Sequence, residues 1–198
     1  MTRHRILSPA DYRRMPWKNG GGRTTEIHSH PPRGAIDEFD WRVSVAEVAK
    51  DGPFSKFAGI DRTIVMIGGN GMRLAGDGHS ALLAEAFEPY TFSGDDTIDC
   101  SLVDGPVRDY NLMLRRGRTS GGVVVVRDAG TTIAPASFRL CYAARGAHEC
   151  LFAGHPPIVI DADHALMIET DAAVALPLAI NPLGGDAVAL VARIDVFP

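Results

Sequence analysis

Short apolar segments separated by turn signals recur along almost all of the 198-residue chain, and this rhythm restricts the fold more than any single motif. The clearest segment is 39–48, where Phe39, Trp41, Val43 and Val45 alternate with Arg42, Ser44 and Ala46. A strand presents successive side chains to opposite faces, so this pattern predicts a strand with one aromatic-aliphatic face and one small or polar face. Further strands are predicted over 63–67, 72–75, 80–84, 90–92, 98–103 and 110–114. In the second half they fall at 123–127, 138–143, 149–152, 158–160, 165–169, 173–178 and 187–196. Asp51-Gly52, Asp77-Gly78 and Asp104-Gly105 supply turns, and Asn70-Gly71 predicts a hairpin between 63–67 and 72–75. Many short strands at about 8–12-residue spacing predict an all-β sandwich or barrel and exclude a doubly wound α/β fold.

Only Ser8-Pro9-Ala10-Asp11 reads as a helix start, a capping serine with proline at the first helical position. Pro16 limits that helix to a turn or two. The run Arg115-Arg116-Gly117-Arg118-Thr119-Ser120-Gly121-Gly122 reads as a solvated loop. It divides the chain into 1–116, rich in unusual polar residues, and 117–198, mostly Ala/Val/Ile strands. Each half is long enough for one β-barrel-like unit, and the two are expected to pack as one compact body, with the site in the first half.

Net charge is −4, but residues 1–25 carry +5 and the remainder −9. The overall balance points away from nucleic acid and membrane surfaces, while the basic front segment would attract a small anion or simply be solvated. Cys100, Cys141 and Cys150 form no C-x-x-C pair and read as reduced, half-buried thiols. With no apolar run long enough for a membrane span and no secretory leader pattern, a cytoplasmic protein is predicted.

The densest cluster of unusual residues is Pro16-Trp17-Lys18-Asn19-Gly20-Gly21-Gly22-Arg23-Thr24-Thr25-Glu26-Ile27. Three consecutive glycines cost about 0.5–1 kcal/mol each relative to alanine in regular structure. Such a run marks either a tight turn before a strand at Thr24 or a close approach of backbone to a ligand. Arg42 and Ser44 share one face of the 39–48 strand and line either a polar pocket or an outward face; the fork of Arg42 suits a carboxylate. Glu47, on the aromatic face, must sit at the strand end or pair with something. Asp61 and Arg62 orient each other or a ligand, or cap the loop before them. Asn111 offers an amide beside the soft surface of Met113. His28-Ser29-His30 has ligand-like spacing but no accompanying acid and third histidine, and it reads as loop, so no metal site is predicted. Phosphate-loop and nucleophile-elbow patterns fail as well.

Four motifs, at 16–27, 39–46, 51–62 and 104–115, occur in the order found in the HutD/Ves family, and over about residues 7–115 the chain resembles that family closely. The resemblance implies a bicupin: two cupin-like, jelly-roll β-barrels in one chain, of the RmlC-like architecture. It implies a ligand-binding or regulatory role in histidine utilisation, with no metal or other cofactor. The implied ligand is a small anionic metabolite, N-formylglutamate or urocanate first, and a homodimer is compatible. By position the site would comprise Trp17, Lys18, Asn19, Gly20, Gly21, Arg42, Ser44, Phe54, Ser55, Asp61, Arg62, Asn111 and Met113. Arg42 and Lys18 would hold the carboxylate, glycine N–H groups would approach it, and Trp17, Phe54 and Met113 would close the apolar side. Ala58 stands where the family commonly has proline. No catalytic residue is assigned. An isomerase or hydrolase would use Glu47 or Asp61 as base beside Arg42, and a protein-partner module is the third reading.

Overall fold

The computed structural model describes residues 2–17, 19–32, 38–171 and 176–197, and among them every regular element is a β-strand. Among the described residues no helix is long and apolar enough to cross a membrane. The chain divides into two units, Tyr12–Thr119 and a second that joins Met1–Asp11 to Ser120–Pro198.

In the first unit a six-stranded sheet runs in the order Arg13–Pro16, Gly22–His30, Trp41–Val48, Val107–Arg115, Ile60–Gly68, Pro89–Ser93. A four-stranded sheet runs Gly52–Pro53, Asp99–Leu102, Met72–Gly76, His79–Leu83. Inward-pointing Ile64, Met66, Met72, Leu74, Ile98 and Cys100 form one buried cluster. The alternation on Met72–Gly76, buried-exposed-buried-exposed, shows why that sequence makes a strand with one covered face.

The second unit repeats the plan. Its five-stranded sheet is ordered Thr2–Leu7, Ala165–Thr170, Phe138–Arg145, Val188–Val196, Thr119–Val126. A four-stranded sheet runs Thr131–Ile133, Leu178–Pro182, His148–Leu151, Ile158–Ile160. Its interior is filled by a large apolar cluster that includes Cys141, Cys150, Phe152, Ile168 and Leu178. Each unit is a cupin-like pair of antiparallel sheets, and the chain is a bicupin.

Several local expectations are corrected. Residues 1–11 do not belong to the first unit: Thr2–Leu7 pairs with Ala165–Thr170 as an edge strand. Ser8–Asp11 forms a turn instead of a helix, although the capping chemistry is present. Asp11 accepts from the Ser8 amide and hydroxyl at 2.9 and 2.8 Å, and its own amide donates to the Ser8 carbonyl at 2.9 Å. The Asn70-Gly71 segment links strands of different sheets, whereas Asp77-Gly78 makes the two-residue hairpin, with φ 39° and 82°. His28 and His30 lie on a strand, their rings 5.5 and 6.2 Å from that of Trp41. Phe39 leaves the Trp41 face and packs with Ile60, Met113 and Phe57. The 115–122 loop shrinks to a turn at 116–118, because Thr119–Val126 is already strand. The strand expected at 173–178 begins at Leu178, and 172–175 lie outside the described residues. All three cysteines are fully rather than half buried.

Candidate functional site

The six-stranded sheet places its central strand, Val107–Arg115, between Trp41–Val48 and Ile60–Gly68, and register decides which side chains meet. Met113 pairs with Arg42 on one side and Arg62 on the other. Asn111 lies between Ser44 and Ile64, and Asp109 between Ala46 and Met66. Alternation puts this whole patch on one face. There it forms the floor of a cavity of about 530 Å³. The rim comes from the turn bearing Trp17 and Asn19 and from the loop bearing Phe54, Ser55 and Phe57.

Both arginines are buried, Arg42 at 3% and Arg62 at 7% exposure. A β-bulge between Glu26 and His28 brings Glu26 close enough to accept from Arg42 Nε at 2.7 Å, with Ser29 next to it. Arg42 Nη2 is sealed from water and has no hydrogen-bond partner. Arg62 is fixed differently. Its Nη1 donates to the Ser55 carbonyl at 3.3 Å and its Nη2 to Asn111 Oδ1 at 2.9 Å, while Nε has no partner. The rings of Phe92, Phe54 and Phe57 lie 4.9, 5.3 and 5.6 Å from its guanidinium carbon, within cation–π range. The Arg62 pKa is lowered to about 10, chiefly by burial, with the charge of Asp109 opposing the fall and that of Arg42 adding to it.

Asp109 is 1% exposed. Its Oδ1 accepts from the Asn111 amide, and Oδ2 has no partner. Burial pushes its pKa up to about 7, although the Arg62 charge and the Asn111 hydrogen bond pull it down. On the facing sheet, the Cys100 thiol is pushed to about 12, first by burial and then by the charge of Asp109. The wall therefore holds two guanidinium groups and a carboxyl that is easily protonated, with three polar atoms lacking partners. That combination suits a small anion bearing several acceptor oxygens.

Of the residues singled out from sequence, Trp17, Asn19, Arg42, Ser44, Phe54, Ser55, Arg62, Asn111 and Met113 line this one cavity. Lys18 lies outside the described residues. Gly20 and Gly21 do not line it. The Gly20 amide donates to the Trp17 carbonyl at 3.1 Å and the Gly21 amide to Asn19 Oδ1 at 2.9 Å, so the turn uses both. The close approach occurs at Gly22, where a Cβ would stand 2.2 Å from the Glu47 carbonyl and 3.1 Å from the Trp17 ring. Neither proposed base reaches the cavity: Glu47 pairs with Arg23 and Asp61 with Arg116, both at 2.7 Å on exposed positions. The residue missed is Asp109. Its signal was available, since it precedes Asn111 and Met113 at the same two-residue step. Among the described residues no group of three or more His, Cys, Asp or Glu side chains is placed to hold a metal ion.

The HutD family model matches residues 9–182. The chain belongs to the HutD family. It is 38% identical over 154 residues to an uncharacterized 21.2 kDa protein in the hutC 3′ region of Pseudomonas putida, covering 78% of this chain and 80% of that one. It is also 37% identical over 126 residues to protein Ves of Citrobacter koseri, covering 62% and 65%. The crystal structure of a conserved protein of unknown function from Pseudomonas aeruginosa PAO1 matches with TM-score 0.89, 34% identity and coverage of 98% and 99%. HutD from Pseudomonas fluorescens SBW25, in a formate condition, matches with TM-score 0.81, 30% identity and coverage of 99% and 100%. Oxalate decarboxylase from Lactobacillus farciminis, at TM-score 0.62 and 9% identity over 98% and 86%, shares the fold alone. These names link the HutD family to the histidine-utilisation region.

Proposed function

We propose that the Tyr12–Thr119 barrel binds a small carboxylate metabolite, a histidine-pathway intermediate such as N-formylglutamate or urocanate, and that the protein thereby senses or regulates histidine utilisation. The observation that carries this reading is the pair of buried arginines, Arg42 and Arg62, that flank Met113 and both line the cavity. A guanidinium held in a buried wall forgoes most of its hydration, and a carboxylate in the cavity would offset that cost through charge. The cavity volume of about 530 Å³ lies in the range of small-molecule sites. The regulatory half of the reading is supported by the hut naming of the relatives. The cytoplasm, where the pathway's acids are met, is the matching compartment, and neither nucleic acid nor membrane enters the proposal.

A thermal-shift and calorimetric panel of formate, N-formylglutamate, urocanate and histidine tests it. At one hundred times its dissociation constant a ligand stabilises the native state by about 2.7 kcal/mol. Loss of that shift in Arg42→Ala and Arg62→Ala is the expected result. Absence of any shift with the whole panel at millimolar concentration rejects the reading.

A catalytic reading has one observation behind it. Asp109, with its pKa pushed to about 7, sits in the cavity wall and has the protonation equilibrium a general acid or base needs. Conversion of a bound acid, followed by NMR over hours and abolished by Asp109→Asn, would favour it; unchanged ligand removes it.

A further inference from the structure

The hydrogen bonds around Asp109 have a fixed direction. Arginine only donates, so the Asn111 oxygen must face Arg62 Nη2 and the Asn111 amide group must face Asp109. Asp109 therefore receives one N–H on Oδ1 and nothing on Oδ2. A carboxylate charge held on a single donor in a dry wall is poorly satisfied, whereas a carboxylic acid keeps Oδ1 as acceptor and offers Oδ2–H as donor.

A bound carboxylate would shift the charge balance of the wall toward the same state. Among the described residues Glu26 offsets Arg42 by an ion pair, while Arg62 forms none and has Asp109 as its nearby opposing charge. Facing Asp109 are Arg62 from Ile60–Gly68, Ser44 and Ala46 from Trp41–Val48 with Arg42 beyond them, and Asn111 on its own strand. From the opposite sheet comes Cys100, whose thiol stays neutral. Asp109 is the carboxyl group among the cavity-lining residues. With Asp109 ionised the wall is neutral overall and an entering anion meets a carboxylate. With Asp109 protonated one positive charge remains among the described residues of the wall, and that charge is complementary to a carboxylate.

We propose that Asp109 is the proton-linked acid of this cavity wall: it becomes protonated when a carboxylate settles beside Arg62, so that anion and proton bind together. The inference rests on the carboxylate reading above and adds a stoichiometry to it.

Isothermal titration with N-formylglutamate and with formate, from about pH 6 to about pH 9 in buffers of different ionisation heat, tests it. Both probes stay ionised across this range. The expected affinity is level near pH 6 and falls about tenfold per pH unit above about pH 7, with uptake approaching one proton per ligand near pH 8. Asp109→Asn, which keeps a donor at this position without an ionisable group, should bind with a flat profile and no proton uptake. Asp109→Glu should keep the uptake. If Asp109→Asn does not fold, the proton count of the wild type together with that of Asp109→Glu decides. A wild-type affinity that is flat or rises with pH, or an Asp109→Asn profile that follows the wild type, overturns the inference and leaves carboxylate binding intact. Failure of both probes at every pH removes the carboxylate reading and this inference with it.

Discussion

Removing the charge from Asp109 should stabilise the ligand-free protein at neutral pH and leave it nearly unchanged in mild acid. The carboxyl has a pKa of about 7 in the native state against 3.8 for an ordinary aspartate. Between those values the native chain binds more protons than the unfolded one, so stability falls as pH rises through the window. One pKa unit corresponds to about 1.36 kcal/mol, which sets a ceiling near 4 kcal/mol above pH 7. Between about pH 5 and pH 8 the same linkage amounts to roughly 2–3 kcal/mol, a large part of a typical total stability of 5–15 kcal/mol. Asp109→Asn keeps the shape and a donor for the wall but binds no proton, so its stability should lack this component. Urea unfolding followed by tryptophan fluorescence is the suitable assay. Both tryptophans, Trp17 and Trp41, lie in the Tyr12–Thr119 unit, so the signal reports on the barrel that carries the cavity. The stability difference between variant and wild type should widen in favour of the variant as pH rises, then level off above about pH 8. A difference independent of pH, or a wild type that gains on the variant with rising pH, refutes the assignment of Asp109 as a raised-pKa acid.

Glu26→Ala leaves the buried Arg42 guanidinium without its 2.7 Å partner and should cost about 3 kcal/mol, read as a lower urea midpoint. Gly22→Ala places a Cβ 2.2 Å from the Glu47 carbonyl oxygen, which the paired strands can relieve only by separating, so a loss of about 2 kcal/mol or more and a lower melting temperature are expected. Gly20→Ala meets no atom within 4 Å but keeps φ at +68°, and about 1 kcal/mol is expected there. The thiols of Cys100, Cys141 and Cys150 are buried, and that of Cys100 is pushed to about 12; labelling by a thiol reagent at neutral pH should therefore wait on unfolding and accelerate with denaturant.

Strand alternation carried most of the fold. Arg42, Ser44 and Ala46 were legible as one face of a strand, and that face proved to line the cavity. What alternation could not supply was the identity of neighbours. Asp61 and Arg62 read from sequence as a pair that orients each other or a ligand or caps the loop, but a strand turns its two members to opposite sides: Asp61 faces Arg116 in solvent, Arg62 faces the cavity. Asp109 falls one residue before the strand predicted over 110–114, and its burial comes from the pairing of Val107–Arg115 with two other strands. Thr2–Leu7 was invisible for a related reason. It carries four consecutive exposed residues, three of them Arg3, His4 and Arg5, as edge strands often do, and its partner lies more than 150 residues away. Ser8–Asp11 shows that a capping pattern specifies a first turn, and that continuation needs an apolar helical stripe, which this segment lacks.

The energetics of the wall bear on why such residues are buried at all. Burial, against the opposing charge of Asp109, lowers the Arg62 pKa to about 10, and burial raises that of Asp109 to about 7, so each charged form carries a penalty of about 3–4 kcal/mol. An apolar replacement of equal volume would serve the barrel better if stability were the only demand. The arrangement instead keeps both guanidinium groups still. Arg62 is tied to Ser55 and Asn111 and framed by three phenylalanine rings, and Arg42 is tied to Glu26. Their rotamer freedom and hydration are surrendered during folding, so an anion entering the cavity loses chiefly its own hydration and mobility. Lysine could not replace Arg62 on these terms: it lacks the planar fork that bonds Ser55 and Asn111 together while stacking on aromatic faces. The strain placed on the native state is thus the same free energy that a small anion would recover on binding, which is why the ligand-free stability and the pH dependence of binding must both report on Asp109.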